Sequence, residues 1–340
     1  MKGYKEDDMK EKICCLFTRE GLREKIFEKG FFGGLDKLGE VSIWDGKESL
    51  HDFCRNATII VTTWGSPRLD VSILDAAPGL KLIYHAAGTV KFIIDKEIME
   101  RGIRVSSAAN ILAKNVAETT FGLMLVAVKK IPWWSDFIKN SGEWRQNESL
   151  MRFTDELSDV NSGIISMSHV GKNLISLLKR VTSNILVFDP YWTEEAIGKE
   201  GGRKVGSIYD IAAKCDVIAL CTPLLKATEG MLDKKFFKSM RDGAVFVNAA
   251  RGAIIDEEAL VEELQKERIF ACLDVTNPEP PPPDSPLRKL KNILLCPHVA
   301  GCVGSGLRNM GRFGLEEIKS FVEGGKLANE IKAEKIDITA

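Results

Sequence analysis

The chain has 340 residues, 44% of them hydrophobic and 28% charged, with a formal net charge of -1. That length is long for a single core and points to two domains. The near-neutral balance argues against a nucleic-acid or polyanion partner.

The opening, MKGYKEDDMKEK, is charged and has no apolar h-region, so no signal peptide is expected. The apolar runs read as strand-length, short of a membrane span, and a cytoplasmic protein without a membrane partner is expected. Eight cysteines, Cys14, Cys15, Cys54, Cys215, Cys221, Cys272, Cys296 and Cys302, sit mostly in apolar strand-like runs. None forms a C-x-x-C pair and only four histidines are present, so buried free thiols are expected and no metal site.

Short apolar runs alternate with helix-period segments along the chain. A first block, from about Lys12 to Ala109, holds ATIIVTTW, LKLIYHAAG and GIRVSSAA. A long apolar stretch follows, broken at Pro132, with Trp133 and Trp134 beside the break. Its apolar character predicts burial against the other domain or a second subunit. A second block, from about Ser162 to Gly301, holds SGIISM, NILVFDP, DVIALCTP, GAVFVNAARG, FACLDV and NILLCPHVAG. Helical segments between them include KNLISLLKR, SIYDIAAKC, KKFFKSM and DEEALVEELQKE. Continuous apolar strands separated by helices predict an α/β class with doubly wound parallel sheets. The segment after Gly301, SGLRNMGRFGLEEIKSFVEGG, reads as a helix that returns to the first block. The proline run Pro278–Pro283, PEPPPP, reads as a rigid loop.

The second block opens with SMSHVG, a strand-to-helix turn. In a G-x-G-x-x-G loop the glycines make the turn, admit a pyrophosphate and let helix and strand pack. Here Ser166 and Ser168 stand at the first two positions and Gly171 at the third. The amides of His169 and Val170 open the helix and face where a pyrophosphate binds. Both serine hydroxyls are candidates to donate to it. The next strand ends in Asp189, at the spacing of an acid that accepts ribose hydroxyls and repels the 2′-phosphate of NADP. Loop and acid together predict NAD.

From about Gly163 to Gly301 the chain resembles the D-isomer-specific 2-hydroxyacid dehydrogenase family, through VFDPY, CDVIALCTPLLKAT, GAVFVNAARGAIIDEEALVEEL, CLDVTNPEPPPPDSPL and NILLCPHVAG. The first block fits as well, through APGLKLIYHAAGTV, ERGIRVSSAA and NVAETTFGLMLVAVKKIP. The resemblance implies two Rossmann-like doubly wound domains flanking an active-site cleft. Residues 1–111 with 304–340 would bind substrate, and 112–303 would bind NAD. It implies interconversion of a D-2-hydroxy acid and its 2-oxo acid by hydride transfer, and a homodimer.

By the same resemblance, His298 matches the acid/base histidine, Glu279 the carboxylate that orients its ring, and Arg251 the arginine that holds the substrate carboxylate and polarises its carbonyl. Taken singly, each is a commonplace loop residue; the set carries the argument. Thr222 and Pro223 match the adenosine side. Ala249 and Asp274 match residues near the nicotinamide, with Asp274 receiving its carboxamide, and Gly301 closes the same motif. Gly88, Thr89 and Val90 match the loop whose amides clasp the substrate carboxylate, while His85 is expected to be structural. Trp64–Gly65 replaces an Arg-Ser pair of phosphoglycerate-type members, which argues against a phosphorylated substrate. A polar family position falls on Leu112. Glu279 separates the chain from formate dehydrogenases, whose histidine partner is typically Gln. An NAD(H)-binding regulator or scaffold on the same fold is the alternative, favoured by the two serines and opposed by the complete acid/base set.

Overall fold

A computed structural model describes residues 10–144, 147–301 and 303–338; Cys302 lies outside the described residues. The chain divides into two compact units, Met1–Leu112 with Val303–Ala340, and Ala113–Cys302.

The first unit is built on β1 (Glu11–Leu16), β2 (Gly39–Ile43), β3 (Ile59–Thr62), β4 (Leu82–His85) and β5 (Arg104–Ser107). They run parallel in the order β5-β4-β3-β1-β2, and a short strand, Glu330–Ile331, adds antiparallel to β5. Side chains alternate across the sheet, as the pleat requires. Ile13, Cys15, Ile59, Val61, Leu82 and Tyr84 enter one core layer, and Cys14, Leu16, Ile60, Ile83 and Val105 the other. Both faces are covered, which is why these strands are apolar throughout. β2 and Glu330–Ile331 carry too few apolar residues to stand out in the sequence.

The C-terminal helix Ser305–Val322 does return to the first unit. Leu307, Met310 and Ile318 reach the core at helical spacing. Glycines allow its close approach: a Cβ on Gly314 would lie 2.2 Å from the Tyr84 ring, and one on Gly311 2.1 Å from the Ile26 carbonyl oxygen. The Tyr84 hydroxyl donates to the Met310 carbonyl at 2.7 Å.

Among the described residues the second unit holds seven parallel strands: β6 (Ser162–Ile165), β7 (Ile185–Phe188), β8 (Arg203–Lys204), β9 (Val217–Leu220), β10 (Val245–Asn248), β11 (Phe270–Leu273) and β12 (Ile293–Leu295). Their order is β12-β11-β10-β9-β6-β7-β8, so the winding reverses between β6 and β9. In sheets of this kind ligands bind beyond the carboxyl ends of the strands, at that reversal. Among the described residues, six helices of this unit begin with side-chain N-caps: Asn147, Ser168, Thr193, Ser207, Asp233 and Asp256. Each such cap is worth about 1 kcal/mol and fixes where a connection ends.

The helix Ala109–Val128 is long and apolar enough by length and composition to cross a membrane, a longer run than the strand-length segments expected. Lys114, Asn115 and Glu118 interrupt it in the sequence. Its Ala117, Leu123, Met124, Ala127 and Val128 belong to the core of the second unit. The break expected at Pro132 falls instead at Lys130, whose φ is +52°, because proline is tolerated in the first turn of the next helix, Ile131–Ser141. Trp133 corrects a second expectation. It is buried in the second unit's own core, edge-on to Phe270 with centroids 4.6 Å apart. Trp134 packs beside it and donates to Thr154 Oγ1 at 3.1 Å.

All seven described cysteines are free. Burial pushes the thiols of Cys215, Cys221 and Cys272 up to about 12, so they are inert packing groups.

Candidate active site

Every element at the carboxyl edge of the second sheet belongs to the second unit. At the β6/β9 reversal, the chain leaves β6 through Ser166 with φ +79°. That is a backbone region a Cβ resists. The Ser166 amide donates to the Phe188 carbonyl at 2.8 Å. A Cβ on Gly171 would lie 2.2 Å from the Ser166 carbonyl oxygen. Only glycine at that position lets the helix His169–Leu178 sit so close to the loop.

The hydroxyls of the two serines are committed within the protein. Ser168 caps the helix, accepting from the Gly171 amide at 3.3 Å, and donates to the Cys221 carbonyl at 2.7 Å. Ser166 donates to Asp189 Oδ2 at 3.2 Å. Both hydroxyl protons, expected to face a pyrophosphate, are engaged with protein oxygens in this structure. The amides of His169 and Val170, at the first two helical positions, have no acceptor within the helix and remain for it.

Asp189 is buried at the end of β7. Its Oδ2 also accepts from the Met167 amide at 2.8 Å, and its Oδ1 from the Tyr191 amide at 2.9 Å. Lys172, in the first turn of the helix, stands 3.9 Å from the centroid of the Trp192 ring. Thr222 Oγ1 donates back to the Ile165 carbonyl at 3.2 Å, and the Pro223 carbonyl accepts from Thr228. The close-packed glycine, the two free amides, the acid beside them and the small, buried Ala249 fit a dinucleotide laid along this edge.

Further along the edge lie the carboxyl ends of β10, β11 and β12, adjacent strands spaced about 4.8 Å apart. Asn248, the last residue of β10, is buried. Its Oδ1 accepts from the Ala250 amide at 3.0 Å and its Nδ2 donates to the Arg251 carbonyl at 3.1 Å. This pinches the turn that presents Arg251 to solvent. A Cβ on the next residue, Gly252, would lie 2.1 Å from the Thr276 carbonyl. The arginine turn thus packs directly on the loop that carries Glu279.

Asp274 follows β11 and is buried. Its Oδ1 accepts from the Val299 amide and its Oδ2 from the Ala300 amide, each at 2.9 Å. Its carbonyl accepts from the His298 amide at 2.8 Å. One residue so holds three successive amides and fixes His298 at φ +53°. These bonds give Asp274 a framework role in the turn that carries His298. Gly301 is buried just beyond, and the Ala300 carbonyl accepts from Thr119 at 3.2 Å.

His298 Nδ1 stands 2.8 Å from Glu279 Oε2, with both side chains partly exposed. Glu279 Oε1 accepts from the Thr276 amide at 3.3 Å. The pairing turns the other ring nitrogen outward, free to give or take a proton. Glu257 accepts from the Asn277 amide at 3.2 Å, and burial raises its carboxyl above the usual range. Asn248 and Glu257 have no signature of their own in the sequence. Their nearest clue is position, at a strand end and a helix start.

The first unit holds the remaining candidates. Gly88 and Thr89 follow β4 half-exposed, with Thr89 Oγ1 accepting from the Lys91 amide at 3.4 Å, while Val90 is buried in the core. Trp64 is half-buried against the core of that unit. His85 is buried, 2.8 Å from Thr62 Oγ1, and burial lowers its ring to about 4, as suits a structural residue.

Residues 121–300 match the family model of the D-isomer specific 2-hydroxyacid dehydrogenase, NAD binding domain. The chain belongs to the D-isomer specific 2-hydroxyacid dehydrogenase family. Its second unit is the family's NAD-binding domain, and NAD is its cofactor. The chain is 33% identical over 271 residues to a D-3-phosphoglycerate dehydrogenase of Archaeoglobus fulgidus, covering 79% of this chain and 50% of that protein. It is 29% identical over 315 residues to a glyoxylate reductase of Aeropyrum pernix, covering 89% and 93%. It spans about half the length of the two archaeal phosphoglycerate dehydrogenases it matches. A solved phosphoglycerate oxidoreductase from Rhizobium etli superposes with a TM-score of 0.80 at 25% identity, covering 94% of this chain and 97% of that one.

Proposed function

We propose that this member of the family is an NAD-dependent dehydrogenase that interconverts a D-2-hydroxy acid and its 2-oxo acid. The observation that carries the reading is the His298–Glu279 pair, 2.8 Å apart on the edge that holds the dinucleotide cradle. Bound NAD supplies the site for hydride transfer to or from the substrate's C2 carbon. His298 gives its proton to the carbonyl oxygen as negative charge builds there, and takes it back in the reverse direction. Glu279 holds the imidazole ring. Arg251 offers a planar fork to the substrate carboxylate and steadies the developing oxyanion.

The amides of His169 and Val170, with Gly171, receive the pyrophosphate, and Asp189 the adenosine ribose. Pro223 and Ala249 line the nucleotide's path. Gly88, Thr89 and Val90 present amides to the carboxylate of the substrate, and the first unit is the substrate domain. The Trp64–Gly65 segment carries no cation, which favours an unphosphorylated 2-oxo acid such as hydroxypyruvate. A homodimer is supported by exposed apolar residues on the helices of the second unit, Leu125, Ile131, Ile138 and Met151. The seven described free thiols suit the reducing cytoplasm.

The test is NADH oxidation against a panel of 2-oxo acids, with and without a 3-phosphate, alongside NADH binding. Turnover of an unphosphorylated acid that vanishes in H298Q supports the reading. NADH binding with no turnover of any acid would favour a regulator.

A further inference from the structure

Ser166 stands where a dinucleotide loop ordinarily has glycine, and it costs the chain backbone strain at φ +79°. Its backbone has no freedom to move away. The amide is bonded to the Phe188 carbonyl at 2.8 Å, and the carbonyl oxygen is wedged beneath Gly171. The side chain therefore projects toward Asp189, and its hydroxyl donates to Oδ2 at 3.2 Å.

An ionised carboxylate offers about four acceptor positions, two on each oxygen. On Asp189, Oδ2 is filled by the Met167 amide and Ser166 Oγ, and Oδ1 is half filled by the Tyr191 amide. One position remains. An adenosine ribose brings two vicinal hydroxyls to such an acid.

We infer that the Ser166 hydroxyl is an internal surrogate for one ribose hydroxyl of the dinucleotide, and that it competes with the cofactor for Asp189. The inference rests on Asp189 facing the adenosine ribose, as proposed above. To bind both hydroxyls, Asp189 must release Ser166, and only rotation of the serine side chain can do this. The bond that holds the loop in the free protein thus weakens the cofactor's grip. The ligand concerned is any nucleotide with an unsubstituted adenosine ribose, so ADP-ribose should feel the same competition as NADH.

The experiment measures dissociation constants of NADH and ADP-ribose, by fluorescence titration and calorimetry, for the wild type, Ser166→Ala and Ser166→Gly. Ser166→Ala keeps the Cβ and its backbone cost but removes the hydroxyl. It is expected to bind both ligands about 2- to 10-fold more tightly, the span of a single net hydrogen bond, and Ser166→Gly at least as tightly. Unchanged or weaker binding by Ser166→Ala would overturn the inference. So would tightening confined to Ser166→Gly, which would assign the effect to backbone relief. If none of the three proteins binds either ligand, Asp189 does not serve a ribose, and that reading falls together with this one.

Discussion

Glu279 Oε2 and His298 Nδ1 meet at 2.8 Å although 19 residues separate them in the chain. Each is brought there by its own anchoring: Glu279 by the Thr276 amide and the packing of Gly252 against Thr276, His298 by the three amides clasped on Asp274. The proposed acid–base function depends on both anchors. H298Q should lower kcat for 2-oxo acid reduction by about 10²- to 10⁴-fold while leaving the NADH dissociation constant within about twofold. E279Q keeps the shape but loses the charge-assisted bond, worth about 1.5–3 kcal/mol, and should cost about 10- to 100-fold. Steady-state kinetics beside a binding titration separates the two quantities. A parallel loss of NADH affinity in H298Q would sink the assignment.

Asp274 should matter to folding as well as to activity. In D274N one acceptor becomes a donor facing a buried amide, and an unsatisfied group of that kind costs about 1–3 kcal/mol. At about 2–4 °C per kcal/mol, the melting temperature should fall by several degrees, together with turnover. Differential scanning calorimetry and an assay on the same sample would check both. Full activity with an unchanged melting temperature would show that His298 is held by other means.

Two glycine substitutions should act in opposite directions. G171A drives a Cβ into the Ser166 carbonyl at 2.2 Å, so it should destabilise the protein by about 2 kcal/mol or more and weaken NADH binding. G198A lies in the helix Glu194–Glu200 with nothing within 4 Å of its added Cβ, and should stabilise by about 0.5–1 kcal/mol. Thermal melts of the two variants, with and without NADH, test both signs.

His85 sets a pH window. Its ring is neutral in the folded protein, lowered by burial to about 4 against an ordinary 6.5. Between those values the unfolded chain binds the additional proton, so this residue's contribution to stability is complete above pH 6.5 and declines as the pH falls toward 4. The full loss is on the order of 3 kcal/mol. In H85N an amide that does not titrate takes the place beside Thr62. The stability difference between wild type and H85N, from urea unfolding, should therefore shift against the wild type as pH falls through that window. A difference independent of pH would show that His85 does not titrate there.

Much of the fold is legible in the residue order because its determinants are local. Continuous apolar runs such as IIVT and VIAL must be covered on both faces, and parallel strands with helices between them are what covers them. Ser168, Thr193, Ser207, Asp233 and Asp256 fix helix starts through bonds to amides three residues away. Strand ends then follow, and with them the edge where Arg251, Glu279 and His298 stand. Edges with few apolar residues, such as GEVSI, leave no such trace.

Residue order sets which polar groups arrive at the carboxyl edge of the second sheet, and contacts between distant loops set what each is free to do there. Asp189, Asp274, Ser166 and Ser168 all sit where the sequence puts them. Whether their oxygens face a ligand or the protein depends on partners 22 to 53 residues distant, at Met167, Val299, Ala300 and Cys221. The same holds for Trp133, whose need for burial is written in its side chain but whose partner, Phe270, is supplied by a strand from far along the chain. A hydrogen bond within a turn is fixed by the turn's own dihedrals, whereas one between loops exists only after the strands beneath them have paired, and no residue order states that geometry locally.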